Sequence, residues 1–522
     1  MLIAALALMS TSALLPAGTP VTLSVDLSDA PQRIIHARMV IPASPGPLTL
    51  VYPKWIPGEH APTGPIADVV DLKVTAGGKT VPWKRDSVDM YAIHCDVPQG
   101  ANAIEVSLDF ITPSEAKGFS AGTSATTELA VLNWNQVMLA PQGAPADSLT
   151  YKANLRVPRE WRYATALPVE HESGDTVDFA PASMTTLIDS PVLTGRNFRT
   201  EDLSPGSSPR HYLHVAADSR AALELSTETL AAYRNLIAET GALFGARHYR
   251  RYDFLLTLSD HVAHFGLEHH ESSDNRTPEL ALVEDTVRKL NAGLLPHEMS
   301  HSWNGKYRRP DGLATPDFQK PYQDDLLWVY EGLTTYLGDI LTARSGLLNP
   351  DEYRQGLALD AARMDVSPGR RWRPLIDTAV AAPILYGTRP DRSSLRRGVD
   401  FYPEGALIWL DADVTIRTLS QGKKSLDDFC HAFFGGPSGP PEVKPYTLND
   451  VLSALNAIQP YDWAKFFDER IKQVAPRAPL GGIEGGGWKL VYKEKLPPMM
   501  EWQEQESKGT NLVWSIGLSL RE

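Results

Sequence analysis

Near Asp218 the chain changes its hydrophobic period, and no single layer of structure can satisfy both halves. From about residue 20 to 215, apolar and polar residues alternate, as in VTLSVDLSD, RIIHARMVI, NAIEVSLDFI, LTYKANLRVP and HYLHVAAD, with Pro, Gly, Ser, Asn and Asp between the runs. Alternate residues of a strand face opposite ways, so this pattern predicts many short strands in an antiparallel sandwich or saddle. After Asp218, SRAALELSTETLAAYRNLIAETGALFG has helical spacing and ends in Gly, a helix stop. YDFLLTLSD then reads as a strand. Helical patterns follow through SLDDFCHAFFG, where Ser425 and Asp428 make a capping-box-like pair, TLNDVLSALNAI and YDWAKFFDERIKQV.

The expected organisation is therefore multidomain α+β. A leader occupies 1–17, an all-β domain 18–215, a mainly helical domain 216–475, and a Gly-rich linker with a short β-like tail 476–522. A chain of 522 residues exceeds what one ordinary core serves, which agrees with that division. With 43% hydrophobic and 22% charged residues it has a globular composition. A net charge of −13 argues against nucleic acid as partner, because a phosphate backbone needs clustered Lys and Arg.

The N-terminal MLIAALALMSTSALLPAG is an apolar run followed by small residues, the pattern of a secretory leader with cleavage after Ala13 or Ala17. It predicts an exported protein, periplasmic or secreted. No later stretch reaches the roughly 20 apolar residues of a membrane span. The two cysteines, Cys95 and Cys430, fall in different expected domains and cannot form a Cys-rich zinc module or a disulfide framework.

Chemistry concentrates in LLPHEMSHSWNGKYRRP, residues 294–310. A helix places residues four apart on one face, so His297 and His301 can aim two imidazole nitrogens at one zinc ion. Glu298 lies to one side of that pair, where a carboxylate can act as general base; this is the mechanical content of H-E-x-x-H. Pro296 lacks an N–H and clashes with the preceding turn, which predicts a kink or a helix start there, upstream of both histidines. A catalytic zinc takes three protein ligands and keeps one position open. Glu331 sits in the strongly apolar LLWVYEGLTTYLGDIL, and a carboxylate in such surroundings needs a charge partner, either a salt bridge or a metal. Thr335, one turn on, is a candidate support for the ligands.

HEMSHSWNG looks like the zinc helix of gluzincin aminopeptidases. The thirty-residue interval from His301 to Glu331 in LLWVYEG resembles the glycyl aminopeptidase family, metallopeptidase family sixty-one. KWIPGEH (Trp55 to His60), FGLEHHESS (265–273) and DFYPEGALIWLD (400–411) extend the resemblance, in order, over about residues 20 to 520. It implies a thermolysin-like catalytic domain holding one Zn2+ per chain through His297, His301 and Glu331, with Glu298 as general base. It implies further that Tyr402 donates to the oxyanion and that Glu268 binds the substrate α-ammonium. Gly266 and His269 lie beside Glu268 as substrate-side residues, Gly266 allowing close backbone approach.

On the residues alone, FGLEHHESS reads rather as an acidic, His-containing surface loop and Tyr402 as a core aromatic at a helix start. Pro403-Glu404 departs from the commoner family pattern of a charged pair ending in Lys, which leaves a local salt contact open. The implied activity is removal of small N-terminal residues, Gly or Ala, from peptides with a free N-terminus, using a metal-activated water. A zinc endopeptidase and a non-catalytic peptide-binding protein on the same scaffold are the alternatives. The family often carries a PDZ module after its helical region, and the tail falls where the first strand of one would start.

Overall fold

A computed structural model describes residues 19–114, 118–388, 392–513 and 516–521. The leader read over 1–17 lies outside the described residues.

The alternating N-terminal runs form strands. β1 (Val21–Asp26), β2 (Ile34–Pro42), β3 (Gly46–Val51), β4 (Val69–Ala76), β5 (Ala92–Val97), β6 (Ala103–Ile111) and β7 (Thr150–Arg156) are the main ones. In the larger sheet the neighbours run β7-β1-β2-β6-β4, and a smaller sheet is built around β3 and β5. Within this antiparallel arrangement β1 and β7 pair parallel. Alternation decides which side chains enter the core: in β1, Val21, Leu23 and Val25 are buried while Thr22 is exposed.

The boundary between the layers differs from the sequence expectation. β8 (Asn197–Asp202) and β9 (Arg210–Ala217), assigned above almost wholly to the N-terminal domain, join β10 (Arg251–Leu258), β11 (Phe265–Glu268) and β12 (Ser272–Thr277). Together they form one sheet of order β8-β9-β10-β12-β11. A period of two identifies a strand but carries no information about which sheet receives it. β11 is the edge strand and runs antiparallel to β12, with Glu268 opposite Ser273.

Helices cover this sheet. α1 (Thr227–Phe244) starts at a Ser226 cap, whose hydroxyl accepts from Thr229 N at 3.1 Å, and stops at Gly245, φ 70°. α2 (Leu294–Ser300) carries the two-histidine motif, α3 (Leu327–Ser345) carries Glu331, and α4 (Pro350–Val366) and α5 (Pro403–Leu419) complete the surroundings. Pro296 falls in the first turn of α2, where a missing N–H costs no hydrogen bond. The capping box at Ser425 and Asp428 is formed.

The 476–522 segment is more structured than a linker. Gly481–Gly485 makes a helical turn against α5, with Gly482 so close that an added Cβ would lie 2.6 Å from Asp411 N. Pro498–Ser507 is a helix, and Gly509–Leu512 pairs with Leu518–Arg521. WKLVYKEK forms no strand, because alternation without a neighbouring edge leaves Trp488, Val491 and Tyr492 exposed. Cys95 and Cys430 are buried and unbridged. Among the described residues no helix is long and apolar enough to cross a membrane.

Two glycines of α3 set the spacing that the site requires. Gly332 faces α5, where an added Cβ would lie 2.8 Å from Gly405 Cα and from Phe401 O. Gly338 faces α2, where a Cβ would lie 2.9 Å from His297 Cα. Each costs helix propensity of about 1 kcal/mol relative to Ala, and each allows a backbone to approach closely. Gly332→Ala should therefore destabilise the protein by about 1–3 kcal/mol, as overpacked cores do, despite the gain in propensity. Chemical denaturation reads this directly; an unchanged midpoint would refute the close-packing account.

Candidate metal centre

α2 and α3 pack so that three ligand-type atoms converge. His297 Nε2 and His301 Nε2 are 3.1 Å apart. Glu331 Oε2 lies 3.1 Å from His301 Nε2 and 3.4 Å from His297 Nε2. Donor atoms about 2.0–2.1 Å from a tetrahedral zinc stand about 3.3–3.4 Å from one another, so this triangle has the size the ion requires. Glu298 also falls within reach of both imidazoles, but Glu331 places a single oxygen between them.

The surroundings fix the tautomer. His301 Nδ1 is 2.9 Å from the Asn304 carbonyl and donates to it, which turns the Nε2 lone pair of the neutral ring toward Glu331. Asn304 in turn donates to Val329 O, Tyr330 O and Thr334 Oγ1, tying the turn after α2 to α3. A nitrogen lone pair facing a carboxylate oxygen is repulsive without a cation between them. Burial works against charging His301, yet Glu331 and Glu268 raise its pKa above the ordinary value. A divalent cation answers that same field. Burial likewise opposes ionisation of Glu331, but His301, His297 and His60 hold its pKa well below the usual range. Two imidazoles and one carboxylate, converging at this spacing, fit a catalytic zinc.

Glu298 is buried beside the triangle, and desolvation raises its pKa to about 8. Its carboxylate occupies the space that a side chain at Gly266 would need, since a Cβ there would overlap Glu298 Oε1. β11 thus runs alongside α2 and sets the general-base candidate in place.

Both halves of the chain match models of one family. The Peptidase M61 N-terminal domain matches residues 22–196, and the M61 glycyl aminopeptidase matches residues 291–408. The chain belongs to the M61 glycyl aminopeptidase family.

Among solved structures, an aminopeptidase N family protein from Idiomarina loihiensis shares the fold, with a TM-score of 0.75 and 19% identity over 89% of this chain and 78% of that one. An M1 zinc metallopeptidase from Deinococcus radiodurans aligns with a TM-score of 0.51 and 14% identity over 88% of this chain and 95% of that one. A mutant of it bound to a Tyr-Ser-Ala substrate gives 0.51 and 15%, over 89% and 96%. No curated protein matches significantly. The expected class, a zinc metallo-aminopeptidase hydrolase, agrees with the family and with these folds.

Within this M61 chain the other expected residues are placed as follows. Tyr402 stands at the start of α5 with its ring 6.2 Å from that of His297, and its hydroxyl is 2.8 Å from the Tyr386 hydroxyl. Glu404 makes the salt contact left open by the sequence: Arg370 Nη1 and Arg397 Nη2 each lie 2.6 Å from its Oε2, anchoring the first turn of α5. Glu268 is buried on β11. Tyr330 donates its hydroxyl to Oε1, and Lys306 Nζ is 4.0 Å from the same atom. Burial opposes its ionisation, but Lys306 and His301 keep its pKa below the ordinary value.

His269 turns toward Asp189, with Nδ1 3.4 Å from Oδ1, while Asp189 also takes Lys306 Nζ at 3.1 Å. Thr335 does not support the ligands: its hydroxyl bonds back to Glu331 O at 2.8 Å, as helical threonines commonly do. Thr334 is the neighbour of His301 instead, at 3.4 Å from Nδ1.

Four residues near the centre were not placed there by the sequence reading: His60, Lys306, Tyr330 and Tyr386. The first three lie inside motifs already singled out, but their burial is set by the fold and is not visible in the sequence. For Tyr386 no sequence signal exists.

Gly266→Ala should push Glu298 aside without touching the three ligand atoms. Turnover should then fall on the order of 10²-fold, the usual cost of about 1 Å of misplacement, with zinc content unchanged. Loss of bound zinc in that variant would show that Gly266 serves the ligands rather than the base.

Proposed function

We propose that this chain is an aminopeptidase that removes small N-terminal residues from peptides, with His297, His301 and Glu331 holding one zinc ion. The observation that carries the reading is the shared Glu331 oxygen within 3.1–3.4 Å of two imidazole nitrogens, beside a buried Glu298. Zinc bound there would supply Lewis acidity to the scissile carbonyl and bring the pKa of water toward about 7.

Glu298 takes the proton of the attacking water and passes it to the leaving amine. Its position supports this, because its carboxylate lies within 4.8 Å of both imidazole nitrogens. Tyr402 donates its O–H to the oxygen that becomes negative, and burial keeps that phenol protonated by raising its pKa. Glu268 pairs with the substrate ammonium as a carboxylate that Lys306 and His301 hold in its ionised form. The small-residue preference is supported by the match to the glycyl aminopeptidase model.

Two measurements test the reading. Glu298→Gln should abolish hydrolysis of amino-acid anilides while the protein still binds zinc, and a chelator should abolish it in the unmodified chain. Activity that survives both treatments ends the mechanism. N-terminally acetylated peptides should be refused, and Glu268→Gln should raise KM for free peptides by about tenfold or more, as loss of a charge-assisted pair does. Equal turnover of acetylated and free peptides would favour an endopeptidase.

A further inference from the structure

The N-terminal domain sends one side chain into the metal centre. His60 follows Gly58 and Glu59 in the loop after β3, and it is 1% exposed. Its Nε2 lies 2.6 Å from Glu331 Oε1, the oxygen opposite the one that faces His297 and His301. The carboxylate of Glu331 is therefore divided, with one edge toward the N-terminal domain and the other toward the convergence of ligand atoms.

The loop is built to keep His60 there. Lys54 N and Trp55 N both donate to Phe318 O, at 3.0 and 2.8 Å, and Tyr322 donates to Trp55 O at 3.0 Å. Ser120 N donates to Glu59 Oε1 at 3.0 Å from within the N-terminal domain. Gly58 turns the chain at φ 89° directly over the Glu268 carboxylate, where no Cβ would fit. His60 itself holds a left-handed backbone, φ 50°, which a non-glycine residue adopts only under constraint. Tyr330 meets its ring edge-on at 5.4 Å.

We propose that His60 is a positioning residue for the metal. By donating to Oε1 it fixes the Glu331 carboxylate so that Oε2 alone is presented to the ion, and the zinc affinity of the helical domain depends on this imidazole from the β domain. A free carboxylate could rotate or present both oxygens; a hydrogen-bonded partner of this kind selects one geometry and one ligand atom. The inference rests on the reading of Glu331 as a ligand, and the test separates the two.

Zinc affinity is measured in the full chain by competition with a chromophoric chelator. His60→Ala should weaken binding by about 10–100-fold, the usual loss for a partner one step from the metal. His60→Gln, which keeps an N–H donor of similar reach, should recover a large part of that loss. In a Glu331→Gln background, adding His60→Ala should cost little more, because the group it positions is already altered. Near-ultraviolet circular dichroism checks that each variant is folded. Wild-type affinity in His60→Ala, beside a weakened Glu331→Gln, would overturn the proposal and leave the ligand reading intact. Wild-type affinity in Glu331→Gln would overturn the ligand reading itself. An undiminished His60 effect in the Glu331→Gln background would show that the imidazole acts elsewhere.

Discussion

A carboxylate in a hydrophobic helix is the condition on which this architecture turns. Glu331 is 2% exposed, and an ionised group so buried is tolerated only when charges and donors replace the water it has lost. Two imidazoles from the C-terminal end of α2 and one from the β domain do this. Burial elsewhere on α3 is ordinary: its apolar side chains form the core with α1, α2 and α5. The helix thus performs two tasks with separate residues, leucines and aromatics for cohesion and one acid for chemistry. Its glycines let α2 and α5 come near enough for both.

The side chains proposed to react are held by neighbours that are themselves buried and paired. Tyr402 stands at the head of α5, and that helix is anchored by Glu404 between Arg370 and Arg397. Removing either arginine would leave a buried charge partly unmatched, so the anchor is specific as well as strong. Glu298 has its position from a glycine on an edge strand and Glu268 from a tyrosine on α3. None of these proposed side chains depends on a surface loop alone, which is the arrangement that keeps a constellation of this sort in register.

Much of this was legible in the residues, and the limits are physical. The i, i+4 histidines were readable because helical geometry alone sets their spacing, and the interval to Glu331 was readable through family resemblance. A kink or helix start near Pro296 followed from the missing N–H, and α2 begins two residues before it, at Leu294. HYLHVAAD was recognised as a strand but grouped with the N-terminal domain, since pairing is a tertiary choice. Thr334 was missed in favour of Thr335 because a one-residue step on a helix rotates the side chain by about 100°. His60 was visible inside KWIPGEH, yet nothing local ties it to an acid 271 positions away.

The ties between the two domains carry a thermodynamic consequence. Lys306 belongs to the helical domain, is almost wholly enclosed, and meets Asp189 of the β domain; nearby, His60 meets Glu331. Separating the halves would break both contacts at once, leaving Lys306 without Asp189 and Glu331 without its third imidazole. The stability of each half is therefore coupled to its contact with the other.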